Sequence, residues 1–177
     1  MTGFFPAGRI WQKDCRGEHL DRKTAIISAG GMTDFATIEA DDLGRMLRGM
    51  GINLLCPDPL DYAPRIAHVL GLNIIRLDGF FGLLSWLDNP DSDSLIQLHA
   101  DKTYAQHPYH AMLGENQPRG IGLELRLFEC DPDAAVIRAG QDAGFTILQS
   151  ATDKEHGVRE AFILDPLGYC WVPSVSI

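Results

Sequence analysis

A chain of 177 residues with 45 % apolar side chains is long enough for one compact domain, or for two halves sharing a core. Its formal charge of −9 at pH 7 repels phosphate backbones, which excludes nucleic acid as an expected partner. No run of ~18 apolar residues is present, so no membrane span is expected, and the charged N-terminus MTGFFPAGRIWQKDCRGEHLDRK lacks the apolar stretch of a signal peptide, which points to the cytoplasm.

In chain order, residues 1–50 read as an N-terminal extension. The spacing of Leu43, Met46, Leu47 and Met50 predicts a helix over Ile38–Met50, an arm that packs on the domain or on a neighbouring chain. Met50 stands as a candidate start, which would leave the first 49 residues dispensable. The glycine pair at Gly30 lacks the surroundings of a phosphate-binding loop.

From residue 51 onward the chain repeats itself. GINLLCPDPLDYAPRIAHVLGLNII (51–75) and ELRLFECDPDAAVIRAGQDAGFTIL (124–148) align with Asp58-Pro59 on Asp131-Pro132 and Gly71 on Gly144, an offset of 73 in both cases (131 − 58 and 144 − 71). In each copy a short apolar strand ends at Asp-Pro, where the Asp caps a helix and Pro suits its first turn. Ile66, Val69 and Leu70, or Ala135, Val136 and Ala139, then recur at helical spacing. The glycine is expected to end the helix in a left-handed turn. Another strand follows, over Leu72–Leu77 or Phe145–Gln149.

Two further strands close each copy. FFGLLSWLD and SLIQLHA flank Asn89-Pro90-Asp91, and VREAFILD and YCWVPSV flank Pro166-Leu167-Gly168. The domain therefore spans 51–177: a first βαβββ module over 51–100, a linker over 101–119 holding His107, Pro108, Tyr109, His110 and Pro118, and a second module over 120–177. The fold class is α+β.

Cys15, Cys56, Cys130 and Cys170 form no CxxC pattern and are expected to be free thiols, the last three buried as small hydrophobes. Trp86 and Trp171 read as core or interface residues.

The second copy resembles modules of the vicinal oxygen chelate superfamily, the glyoxalase/bleomycin-resistance/dioxygenase proteins. The resemblance rests on the strand ending D-x-D-A-A, on A-G-x-x-I-L after the helix, on the D-K-x-x-G-x-R-E loop and on the closing D-P-x-G-Y. The first copy matches at DPLDY, VLGLNIIR and the hairpin. What the resemblance implies is two modules of curled sheet enclosing a cavity, usually in a homodimer. Members include metal-dependent lyases, isomerases and dioxygenases, and others that sequester a drug.

In the metal-using members, ligands come from the first and last strands of each module. Carried onto this chain, those places are Gly51, Gln97, Glu124 and Val172. Glycine and valine have no donor atom, whereas a stable site needs three or four ligands. A metal-independent protein is therefore expected, with a non-standard divalent-metal site at Gln97, His99 and Glu124 as the alternative.

Strand alternation then selects the residues that face the cavity. Glu124, Arg126 and Phe128 share one face, with Leu123, Leu125 and Leu127 toward the helices. Asn53 and Leu55, Leu95, Gln97 and His99, and Cys170 and Val172 join them. The expected ligand site is Asn53, Gln97, His99, Glu124, Arg126 and Phe128, with Glu124 and His99 the acid/base candidates if there is chemistry. Glu124 and Arg126 also have a plainer reading as a pair bound to each other, His99 as a hydrogen-bonded structural residue, and His156 and Arg159 as a solvated turn. Three functions stay open: a small-molecule binding protein, a metal-dependent enzyme, and an interaction protein that works through residues 1–50.

Overall fold

The computed structural model describes residues 51–85, 95–112 and 118–177, with Glu39, Asp42, Gly44 and Arg45. Of the helix expected over 38–50, these four residues are described: Asp42, Gly44 and Arg45 are helical and Glu39 is not. Trp86, Cys15, Gly30 and the turn at Asn89 lie outside the described residues.

Strand β1 (Ile52–Cys56) runs into the Asp58 cap. The Asp58 carboxylate accepts from the Leu60 amide at 2.9 Å, and Pro59 opens helix α1 (Pro59–Leu70). The helix stops at Gly71, whose φ of 74° is the left-handed conformation that glycine adopts without penalty. Strands β2 (Asn73–Leu77), β3 (Phe81–Ser85) and β4 (Leu95–Ala100) follow. The linker carries two short 3-10 turns, Asp101–Tyr104 and His110–Met112. Arg119 ties its far end back to Asp101 through two bonds of 2.6 and 2.7 Å.

The second copy repeats the plan with β5 (Glu124–Phe128), α2 (Pro132–Ala139), β6 (Thr146–Lys154), β7 (Val158–Leu164) and β8 (Cys170–Ser176). The sheets have orders β1-β4-β3-β2 and β5-β8-β7-β6. In each, the first and last strands are parallel and the other pairs antiparallel. Two βαβββ modules are thus present, as the repeat implies.

The matched glycines do different work. Helix α2 ends at Gly140 in a right-handed conformation, and Gly144 is not the left-handed stop expected of it. Gly144 instead lies under Arg65: a Cβ there would overlap Arg65 Nη2 and stand 2.9 Å from Pro166 Cγ. Glycine is favoured at this place by the close approach of Arg65 and Pro166, not by backbone conformation.

The helix-facing sides of both sheets meet in one core. Leu54 and Cys56 of β1, Tyr62, Ile66 and Leu70 of α1, Leu125 and Leu127 of β5, and Ile163 and Trp171 belong to a single buried cluster. Trp171 is therefore a core residue, as expected. Polar contacts also cross between the modules. Tyr62 Oη donates a short bond to the buried Asp165 carboxylate, which also accepts from Trp171 Nε1 at 2.8 Å. Arg65 grips Asp142 with bonds of 2.9 and 2.6 Å, and Arg138 Nε donates to the Val69 carbonyl at 3.0 Å. Cys56 and Cys130 are buried free thiols, and Cys170 is partly buried.

Candidate functional site

The alternation expected along β5 is observed. Leu125 and Leu127 turn into the core, at 5 and 6 % exposure, while Glu124, Arg126 and Phe128 face away from the helices. Leu123 departs from the expectation. It precedes β5, is 45 % exposed and lines a groove rather than facing the helices.

Glu124 and Arg126 do bond to each other, Arg126 Nη1 donating to Glu124 Oε2 at 3.0 Å. The Arg126 guanidinium also reaches Glu160 on β7, where Nη2 donates a short bond to Oε2. Strand β8 lies between β5 and β7, and Arg126 is paired in register with Val172. The arginine side chain therefore crosses β8 beside Val172 and Ser174, both fully buried although they point away from the core cluster. Lys154 Nζ stands 3.8 Å from the other Glu160 oxygen and 5.3 Å from the Phe162 ring. Four alternating charges thus run across the open face of the second sheet.

Glu160 and Lys154 were not among the residues expected from sequence. Alternation in the sequence assigns faces on the first and last strands of each module only, and Lys154 and Glu160 fall within the D-K-x-x-G-x-R-E motif of residues 153–160. The same two-residue period along VREAFIL, set by the buried Ile163, puts Glu160 and Phe162 on the face of Arg126. Arg159, one place on, falls on the helix side and bonds Asp133 (2.7 and 2.8 Å) and Asp153 (2.7 Å). It is a strand residue bridging β7 to α2, not part of a solvated turn. His156 is exposed in the turn.

Beside Glu124 lies a groove of about 710 Å³ whose walls include Ile121, Leu123, Leu164, Gly168 and Cys170. Among the described residues, Glu124 is the only charged side chain lining it. Burial pushes the Cys170 thiol upward, with the Glu124 and Asp165 charges adding to the effect. Thiolate chemistry at this groove is therefore disfavoured.

The remaining candidates lie on the first sheet. Asn53 pairs in register with Gln97, and Leu55 with His99. His99 is half-buried between two rings, Phe81 at 5.2 Å and Tyr104 of the linker at 5.8 Å, and Tyr104 in turn meets His107 at 4.5 Å. Burial lowers the His99 pKa, so the neutral imidazole prevails at neutral pH. The structure brings Asn53, Gln97 and His99 together on one sheet and Glu124, Arg126 and Phe128 on the other. Among the described residues, no hydrogen bond or ion pair joins the two sets.

The four would-be metal positions can be tested on the same geometry. Position 51 does adjoin Gln97, since a Cβ on Gly51 would lie 3.5 Å from Gln97 Nε2. Glu124 is engaged by Arg126, and Val172 lies beside that arginine's side chain. No group of three His, Cys, Asp or Glu side chains among the described residues is arranged to hold an ion. The donor set does not fit a chelated metal.

No family model matches the chain, and no curated protein matches it. Solved structures do. A glyoxalase/bleomycin resistance protein/dioxygenase family enzyme from Burkholderia phytofirmans PsJN is 20 % identical, with a TM-score of 0.54 over 71 % of this chain and 96 % of its own. A glyoxalase-related enzyme from Fulvimarina pelagi is 14 % identical, with a TM-score of 0.55 over 73 % and 88 %. A glyoxalase/bleomycin resistance protein/dioxygenase from Nocardioides is 15 % identical, with a TM-score of 0.52 over 78 % and 94 %. The chain has the fold of the vicinal oxygen chelate superfamily.

Proposed function

We propose that the protein is a metal-independent small-molecule binding protein of the glyoxalase/bleomycin-resistance type, which holds its ligand on the open faces of its two sheets. The observation that carries this reading is the Glu124–Arg126–Glu160 chain. Glu124 is the one carboxylate at a family metal position, and its hydrogen-bond partner there is the Arg126 guanidinium, which Glu160 holds from the other side. Arg126 and Lys154 give polar anchoring points, while Phe128, Phe162 and the groove supply apolar contact, the usual makeup of a ligand site. No helix among the described residues is long and apolar enough to cross a membrane.

The reading includes a homodimer. Strands β1 and β5 are each the edge of their own sheet, and the six candidate residues divide equally between those sheets. Phe128 is 62 % exposed and Ile121 81 %. A second copy that set its first sheet against this chain's second sheet would cover these residues and enclose one cavity. Removal of exposed apolar surface would drive that association.

The test is metal analysis of purified protein together with sedimentation. The expectation is less than stoichiometric metal in both wild type and Glu124→Ala, and a sedimenting mass of two chains at micromolar concentration. Equimolar metal that Glu124→Ala loses, or a single-chain mass, contradicts the corresponding part of the proposal.

A further inference from the structure

The four charges on the second sheet are not equivalent, and their differences name a class of ligand. Glu160 is buried, with a side chain 5 % exposed, and is held by both cations. Glu124 is 51 % exposed and makes one bond to Arg126. An exposed ion pair of that kind contributes little and exchanges readily for another anion. Releasing a buried carboxylate from its partners costs several times more. Glu124 is therefore the exchangeable partner of Arg126, and Glu160 is the fixed one.

Exchange changes the charge of the face. With Glu124 seated, two carboxylates balance Arg126 and Lys154. With Glu124 turned to solvent, the two cations face Glu160 alone and one positive charge is left over. A guanidinium edge takes a carboxylate in two parallel bonds, and Glu160 keeps the planar group in position to do so. Phe128 and Phe162 share this face, and the apolar groove opens beside Glu124.

Building on the metal-independent binding proposed above, we propose that this face receives a monoanionic organic carboxylate with an aromatic or aliphatic body. The ligand carboxylate takes the place of Glu124 on Arg126. Arg126 is the receptor, Glu160 its positioning residue, and Glu124 an internal competitor. The guanidinium supplies here the fixed cation that a metal supplies elsewhere in this fold.

The experiment is an amide-detected NMR titration of the full chain with phenylacetate and, separately, with its neutral analogue phenylacetamide, both in EDTA. Phenylacetate is expected to bind the more tightly, with shifts at Glu124, Arg126 and Glu160. Glu124→Gln removes the competing charge from an exposed position. It is expected to tighten phenylacetate about fivefold relative to phenylacetamide, the reverse of what loss of a ligand contact does. Glu160→Gln is expected to weaken phenylacetate, with folding checked by circular dichroism.

Equal binding of the two probes, or weaker phenylacetate binding by Glu124→Gln, overturns the carboxylate assignment. Both results leave metal-independent binding intact. If phenylacetate binds only after Mn²⁺ replaces EDTA, the metal-independent reading itself fails.

Discussion

The Tyr169 hydroxyl lies 3.2 Å from both the amide nitrogen and the carbonyl oxygen of Leu55, accepting from the N–H and donating to the carbonyl. One side chain of the second module thereby satisfies both backbone groups of a residue on the open edge of β1. The Y of the D-P-x-G-Y motif is thus a tether between modules. Its Asp165 serves the same end, since it accepts from Tyr62 of the first module as well as from the Leu167 and Tyr169 amides. Tyr169→Phe leaves two backbone groups at a buried site without partners. A loss of about 1–2 kcal/mol in unfolding free energy is expected. Urea denaturation followed by tryptophan fluorescence measures it, and an unchanged midpoint would show that the tether carries no stability.

A second tether depends on acid. Hydrogen bonding to Arg65 and to the Gly144 amide holds the Asp142 carboxyl down to about 2. Since the unfolded-state value is near 3.9, the unfolded chain takes up the proton first. The pair's contribution is complete above about pH 4 and is lost as pH falls toward 2. Both side chains remain partly exposed, so the contribution is about 1 kcal/mol. Asp142→Asn should lose that amount at pH 7 and show a smaller acid-induced drop in stability than wild type. Parallel acid-induced drops in the two proteins would remove the pair from the account.

The same arginine explains a glycine. Gly144→Ala puts a Cβ into Arg65 and Pro166, and a destabilisation of about 1–3 kcal/mol is expected. In an Arg65→Ala background the penalty should shrink, leaving the Pro166 contact. A double-mutant cycle by thermal denaturation reads the coupling. Strict additivity would place the cost at Pro166 or in the backbone instead of at Arg65.

His99 gives a dependence of opposite origin. Burial lowers its pKa, so the unfolded chain binds the proton more readily. Stability is then full above the unfolded value near 6.5, and falls as pH drops below it until the folded imidazole also charges. His99→Phe keeps a ring between Phe81 and Tyr104 without the titration. Between pH 7.5 and 5.5 the wild type should lose more stability than this variant. Equal losses would mean that His99 titrates alike in both states.

Much of this was legible in the sequence because it rests on local rules. Asp58 and Asp131 both cap helices, and the alternation along β5 separates Leu125 and Leu127 from Glu124, Arg126 and Phe128. Gly71 and Gly144 were read as one feature because a sequence cannot distinguish a left-handed turn from a close contact with Arg65, a residue 79 positions away (144 − 65). Glu160 escapes the sequence reading because alternation there assigns faces only on the first and last strands, while its role depends on a strand two places from β5 in the sheet. The division of the candidate residues between two sheets was equally hidden, since periodicity assigns a face but not which faces meet.

The most direct test of the binding account is a fragment-library titration monitored by amide NMR, performed in EDTA and repeated with Mn²⁺. The account expects bound fragments to shift the amides of Arg126, Phe128, Gln97 and His99 in EDTA, with affinities that Mn²⁺ leaves unchanged. Shifts at those positions that vanish in EDTA and return with the metal would contradict it.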